Sequence, residues 1–338
     1  MPKQSRLHYI DIAKGLAMLL VIIGHCSYSE KELVGWLYSF HMPLFFALSG
    51  FTFRPDKYKN LSNVIAVKGR QLILPYFYFS FLLWGLSFLL LDGLKLEYRH
   101  INELIGIVLS NRLSDYFFSL WFLTTLFLAE PVLWCILRIT KGHAPALLPL
   151  SVAAYCAGAV AIDILKGTYW SMDLVPIALS FLLLGYLLRQ WMDRRTAHSI
   201  RPLILAWSVN LLFFWLNYRQ VGRSDLYFCK LGNPLYFFLS ACGGTVGTIL
   251  LCQKIARCAE LEYIGKNSMV FYAFESLAIP LSERFLRSAL GFSALQNTSH
   301  FTTLVVLSLS CGLLALANCL FLFLKQTANR QPLVQLYS

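Results

Sequence analysis

Runs of about twenty mostly apolar residues recur along the whole 338-residue chain, separated by short polar segments. A run of that length matches the ~30 Å hydrocarbon core of a bilayer at the rise of an α-helix. It predicts ten membrane-crossing helices, near 9–27, 34–53, 71–91, 116–138, 145–165, 171–190, 201–218, 231–252, 267–286 and 302–324. Asn210 interrupts the seventh run, and Glu275 and Pro280 the ninth. The expected fold is an all-α, polytopic integral membrane bundle. The longest hydrophilic segment, about Asp92 to Asp115, is too short and too mixed in charge to make a soluble domain. Residues 1–338 therefore read as one membrane domain, with no internal repeat and no low-complexity tract.

The first run breaks the pattern from within. It reads Asp11-Ile-Ala-Lys14-Gly15, then an almost unbroken apolar stretch, then Gly24-His25-Cys26. Lys14 and His25 are eleven positions apart, which is within ~20° of three full turns and ~16 Å along the axis. Both lie on one stripe, near opposite ends of the span, and Asp11 sits three residues before Lys14 on the same stripe. Ionisable groups are costly in a bilayer and mark a pathway or a site.

Composition supports the membrane reading: 57% of residues are hydrophobic and 14% charged, and the mean hydropathy is +0.60. The net charge of +12 has no basic block interleaved with aromatics, so no nucleic-acid partner is expected. If the N-terminus is cytoplasmic, the inner segments hold eighteen Lys and Arg, among them Lys3 and Arg6, against ten outside. That asymmetry predicts both termini in the cytoplasm, with Lys14 on the cytoplasmic side and His25 on the outer side. The charges in the first run, and its lack of a small-x-small site, make it an uncleaved span and not a signal peptide. Nine cysteines show neither CxxC pairs nor metal-ligand spacing. They read as small hydrophobes, and no metal is expected.

Five of the seven histidines (8, 100, 143, 198 and 300) fall in loops or at interfaces. His25 and His41 lie in apolar runs. One intramembrane histidine could simply hydrogen-bond a neighbouring helix; two on adjacent helices, one sharing a stripe with a lysine, point to chemistry. Lys68 and Arg70 open the third run. They suit a topology anchor, but with Lys14, Arg54, Lys57 and Lys59 they also form a basic patch fit for a phosphate-bearing ligand. Glu130-Pro131 and Asp173 with Pro176 place carboxylates and kinks in or near spans. Ser119 to Leu123 suits an interfacial anchor. Glu275, two turns into the ninth run, needs a cationic or hydrogen-bonding partner. His25, His41 or an arginine is the candidate.

These residues resemble a known family. Tyr9-Ile-Asp11-Ile-Ala-Lys14-Gly15…Gly24-His25 is similar to the first helix of the membrane acyltransferase 3 family. So are Ser39-Phe-His41-Met-Pro43-Leu-Phe-Phe…Ser49-Gly50, Lys68/Arg70…Pro75-Tyr76, Leu120-Trp-Phe-Leu123 and Gly265-Lys-Asn-Ser268…Tyr272. The short branch related to fucose 4-O-acetylases is the best match. The resemblance implies O-acylation, usually O-acetylation, of extracytoplasmic sugars from cytoplasmic acetyl-CoA. It implies Lys14 and Arg70, with Lys68, on the donor side, and His25 as the essential histidine. It also implies residence in the inner (plasma) membrane and a glycan or lipid-linked sugar as acceptor. Two positions depart from the pattern: relatives often have tandem arginines before the Pro-Tyr, and many have histidine where this chain has Glu275.

The chemistry agrees with the resemblance. A sugar hydroxyl must lose its proton as it attacks a thioester, and histidine titrates near neutral pH. His25 is expected as general base or transient acyl carrier, with His41 or Glu275 orienting or protonating it. The rival from another class is a transporter or lipid-linked sugar flippase, which would also use intramembrane charges and proline-broken helices.

Overall fold

The computed structural model describes residues 7–90, 98–110, 120–165, 167–193, 199–255, 257–290 and 300–330. Among them regular structure is helical, apart from one isolated bridge between Asp225 and Lys230. The helices are α1 (His8–His25), α2 (Lys31–Tyr38), α3 (His41–Thr52), α4 (Leu61–Lys68), α5 (Leu74–Leu90), α6 (Tyr98–Leu109) and α7 (Trp121–Ile139). There follow α8 (Ala144–Leu165), α9 (Val175–Asp193), α10 (Arg201–Val221), α11 (Pro234–Lys254), α12 (Ala259–Lys266), α13 (Ser268–Leu290) and α14 (His300–Arg330).

Seven stretches among the described residues are long and apolar enough to cross a membrane: His8–His25, Lys31–Thr52, Trp121–Ile139, Ala144–Leu165, Tyr169–Asp193, Pro234–Lys254 and His300–Phe323. The three remaining predicted runs are the helices α5, α10 and α13. The outside of the bundle is greasy, with Ile139, Ile164, Leu205, Leu316 and Phe323 all exposed. This is a multi-pass membrane protein built as an all-α bundle. Lys3, Arg6, Lys95, Arg112, Lys166, Arg194 and Arg195, which enter the charge asymmetry, and Ser119 and His198 lie outside the described residues.

The second run is two helices and not one. Pro43 lacks the N–H that would close on Ser39, and its ring would collide with that carbonyl. α2 therefore ends at Tyr38, Phe40 adopts φ −148° and ψ −15°, and α3 begins at His41. The freed carbonyls of α2 find side chains: Ser39 Oγ donates to Trp36 O at 2.7 Å and His41 Nδ1 to Leu37 O at 2.7 Å. The third run starts early. α4 runs through a π turn at Gly69–Ile73 into α5, just ahead of Pro75. Part of the hydrophilic segment is also helical, as α6, whose Ile101, Ile105 and Val108 repeat at helical spacing on an exposed face while Glu103 is buried.

α1 is central and packs against α2, α3, α11, α12, α13 and α14. Glycines make its closest contact. A Cβ on Gly15 would strike the Leu261 carbonyl, and one on Gly265 the Asp11 carbonyl, so α1 and α12 touch through backbone. Gly50 and Gly185 join α3 to α9 in the same way. Asn210, the break in the seventh run, is buried as a connector. It accepts from Trp36 Nε1 at 2.7 Å and donates to Ser240 O at 2.9 Å. Asp173 serves its own turn, accepting from Gly167 N and Thr168 Oγ1.

Candidate active site

His25 is the last residue of α1, and Glu275 lies two turns into α13. The His25 Nδ1 is 2.9 Å from Glu275 Oε1 and 2.8 Å from Oε2. Glu275 is buried, while 35% of the His25 side chain remains open. An ionised carboxylate can only accept, so beside it Nδ1 carries the ring proton and Nε2 is left with its lone pair. A positioned imidazole with one free basic nitrogen can take a proton from a hydroxyl.

The ring lines two cavities. One, of about 210 Å³, is walled by His25, Tyr38, His41, Trp121 and Tyr272 and covered by Arg223 and Asp225 to Phe228. The other, of about 550 Å³, continues over His25, Tyr38 and Arg223 to Ser27, Lys31 and Tyr218. His41 reaches the first cavity but not His25. Tyr38 stands between them, its ring centroid 6.0 Å from that of His25 and 4.8 Å from that of His41. With Nδ1 spent on the Leu37 carbonyl, His41 also presents only Nε2 to the cavity.

The cover is the segment between α10 and α11. Asp225 shapes it, exchanging backbone hydrogen bonds with Lys230 and accepting from Tyr227 N at 2.9 Å. Its carboxylate pairs with Arg223 at 3.1 Å, and the Arg223 guanidinium lies 4.6 Å over the Tyr38 ring. Burial pushes the Asp225 carboxyl above its ordinary range, with Arg223 opposing the shift.

At the other end of α1, a cavity of about 440 Å³ is lined by Lys14, Ser49, Arg54, Lys57, Lys68 and Glu130, among others. Lys68 is paired with Glu130 at 2.8 Å and stacks near the Phe53 and Tyr58 rings, at 5.4 and 6.0 Å. Arg70 is exposed and is not among the residues lining this cavity, which the neighbouring Gln71 reaches. A further cavity, of about 180 Å³, lies between the two ends. It shares Lys14, Ser49, Leu72 and Leu126 with the basic cavity, and Met42 and Tyr272 with the histidine cavity.

The structure thus joins His25 to Glu275 and puts His41 across the same cavity, with Lys14 and Lys68 together at the far end. Sequence reasoning missed the Arg223–Asp225 cover and the Glu130 partner of Lys68. The cover carries no periodicity or motif. Glu130-Pro131 was visible as a carboxylate in a span, but 62 positions separate it from Lys68.

A family model described as an acyltransferase domain matches residues 7–317 of the chain. The chain is also similar to Nodulation protein NolL of Mesorhizobium japonicum, at 26% identity over 91% of this chain and 84% of that protein. No solved structure matches it.

Proposed function

Since the chain belongs to the acyltransferase 3 family, we propose that this membrane acyltransferase moves an acetyl group from cytoplasmic acetyl-CoA to a hydroxyl of an extracytoplasmic sugar. The acceptor is a cell-envelope polysaccharide, lipopolysaccharide or lipid-linked glycan, and the enzyme works in the plasma (inner) membrane with both termini in the cytoplasm. The phosphates of the donor meet Lys14, Lys68 and the nearby Arg54 and Lys57 in the basic cavity, with Arg70 contributing from the surface. The thioester-bearing arm lies along the middle cavity. The sugar hydroxyl enters beside His25, whose Nε2 takes its proton as the oxygen attacks the thioester carbon. Glu275 holds the ring and balances the imidazolium that forms. His41 Nε2 accepts a hydrogen bond from the acceptor.

One observation carries this reading. The His25–Glu275 pair stands at one end of a row of cavities that share lining residues, and Lys14 stands at the other. A donor and an acceptor on opposite sides of a membrane need such a row. Mass spectrometry of envelope glycans from cells with and without the gene tests it. Loss of one acetyl group per modified sugar is expected without the gene. A changed amount of unmodified glycan, with no change in acetylation, would instead identify a flippase.

A further inference from the structure

Tyr272 is a group that this mechanism has not yet used. It lies in α13, one turn before Glu275 and so on the same face. It is 8% exposed and lines both the middle cavity and the histidine cavity. Among the described residues its hydroxyl makes no hydrogen bond, which is costly for a buried donor. The backbone amide of Phe122 lies beside that hydroxyl without closing a hydrogen bond to it, and the Phe122 and Tyr272 rings meet edge to face at 6.0 Å. Trp121 and Phe122 are the first two residues of α7, so their N–H groups have no partner within their own helix and carry the positive end of its dipole. Trp121 lines the histidine cavity and Phe122 the middle one. An unsatisfied phenol and a helix N-terminus therefore converge where the two cavities meet, one helical turn from the residue that holds His25.

We infer that this junction is an oxyanion site, in which the Tyr272 hydroxyl, backed by the N-terminus of α7, donates to the thioester carbonyl oxygen. The inference rests on the acyl-transfer reading. The acceptor oxygen bonds to the carbonyl carbon as its proton passes to His25 Nε2, and the carbonyl π pair moves onto the oxygen facing Tyr272. Collapse reforms the carbonyl and breaks the carbon–sulfur bond, and His25 returns the proton to the departing CoA thiolate. The negative charge exists fully only in the tetrahedral state, so a donor aimed at it accelerates the chemistry without tightening donor binding.

The test uses the full-length enzyme in detergent, radiolabelled acetyl-CoA, and envelope glycan extracted from cells lacking the gene. Tyr272→Phe should lower kcat about 100- to 1,000-fold while the KM for acetyl-CoA and the melting temperature stay put. A kcat within threefold of wild type, or a raised KM at unchanged kcat, overturns the oxyanion role and leaves the acyltransferase reading standing. No acetyl transfer by the wild-type enzyme would remove that reading itself, and this inference with it. If Tyr272→Phe does not fold, a fluorinated tyrosine at 272 keeps the shape and makes the phenol more acidic. The rate should then change with phenol acidity, and an unchanged rate overturns the proposal.

Discussion

The two oxygens of Glu275 lie 2.9 and 2.8 Å from His25 Nδ1, although 250 positions separate the residues in the chain. The carboxylate thereby decides which ring nitrogen carries the proton. Glu275→Gln keeps the size but supplies an amide that can donate to Nδ1 and turn the imidazole to the other tautomer. It should lower kcat about 100- to 10,000-fold with the donor KM little changed. His25→Ala should abolish transfer while the protein still inserts. Steady-state kinetics on purified variants checks both, and full activity in either would remove the pair from catalysis.

Lys68 and Glu130 separate stability from donor binding. Glu130 is buried and Lys68 is partly so, and Lys68→Met strands the buried carboxylate and should cost about 3 kcal/mol, seen as a lower melting temperature in detergent. Lys68→Met with Glu130→Gln should recover most of that stability but not the affinity for acetyl-CoA. Lys14→Ala should raise the KM for acetyl-CoA about tenfold, equivalent to ~1.4 kcal/mol, with a smaller effect from Arg70→Ala because Arg70 stands outside the cavity lining.

Gly15 is where α1 touches the backbone of α12. A single methyl there meets the Leu261 carbonyl, which belongs to a helix and cannot step aside. Gly15→Ala should cost about 1–3 kcal/mol, and Gly15→Val should leave little folded protein by size-exclusion profile. A normal profile for Gly15→Val would show that the two helices are further apart than described.

The Glu262 carboxylate in α12 accepts from His8 Nδ1 and Lys266 Nζ, each at 3.0 Å. Those two hydrogen bonds, His8 first, hold its carboxyl down to about 2. A carboxyl depressed in the folded state stabilises above its unfolded pKa, about 4.3, and loses that contribution as pH falls toward 2. Glu262→Gln should therefore melt below wild type at pH 7, with the gap closing between about pH 4.3 and 2. A gap independent of pH would assign the loss to packing.

Much of the architecture was legible because a bilayer demands apolar stretches of a fixed length: all ten predicted runs hold helix, and seven of the described stretches are long and apolar enough to cross. The break between α2 and α3 was written in Pro43, whose effect on Ser39 is local. An apolar run of twenty residues nevertheless reads the same whether or not it is broken. The need of Glu275 for a partner was legible as well, since a carboxylate at that depth cannot stand alone. Which of the histidines or arginines it meets depends on how α13 is placed beside α1.

Helical periodicity alone determined that Lys14 and His25 share one face of α1 with ~16 Å between them, because 3.6 residues per turn makes eleven steps close to three turns. The length of the apolar runs equally determined the spans, through the cost of unpaired backbone in lipid. Only the tertiary structure decided that Glu275 and not His41 holds His25, that Lys68 is neutralised by Glu130, and that Tyr272 opens onto two cavities at once. Those relations join residues on separate helices. The angle and depth at which helices pack are set by the glycine contacts of α1 with α12 and of α3 with α9, which no single-helix pattern contains.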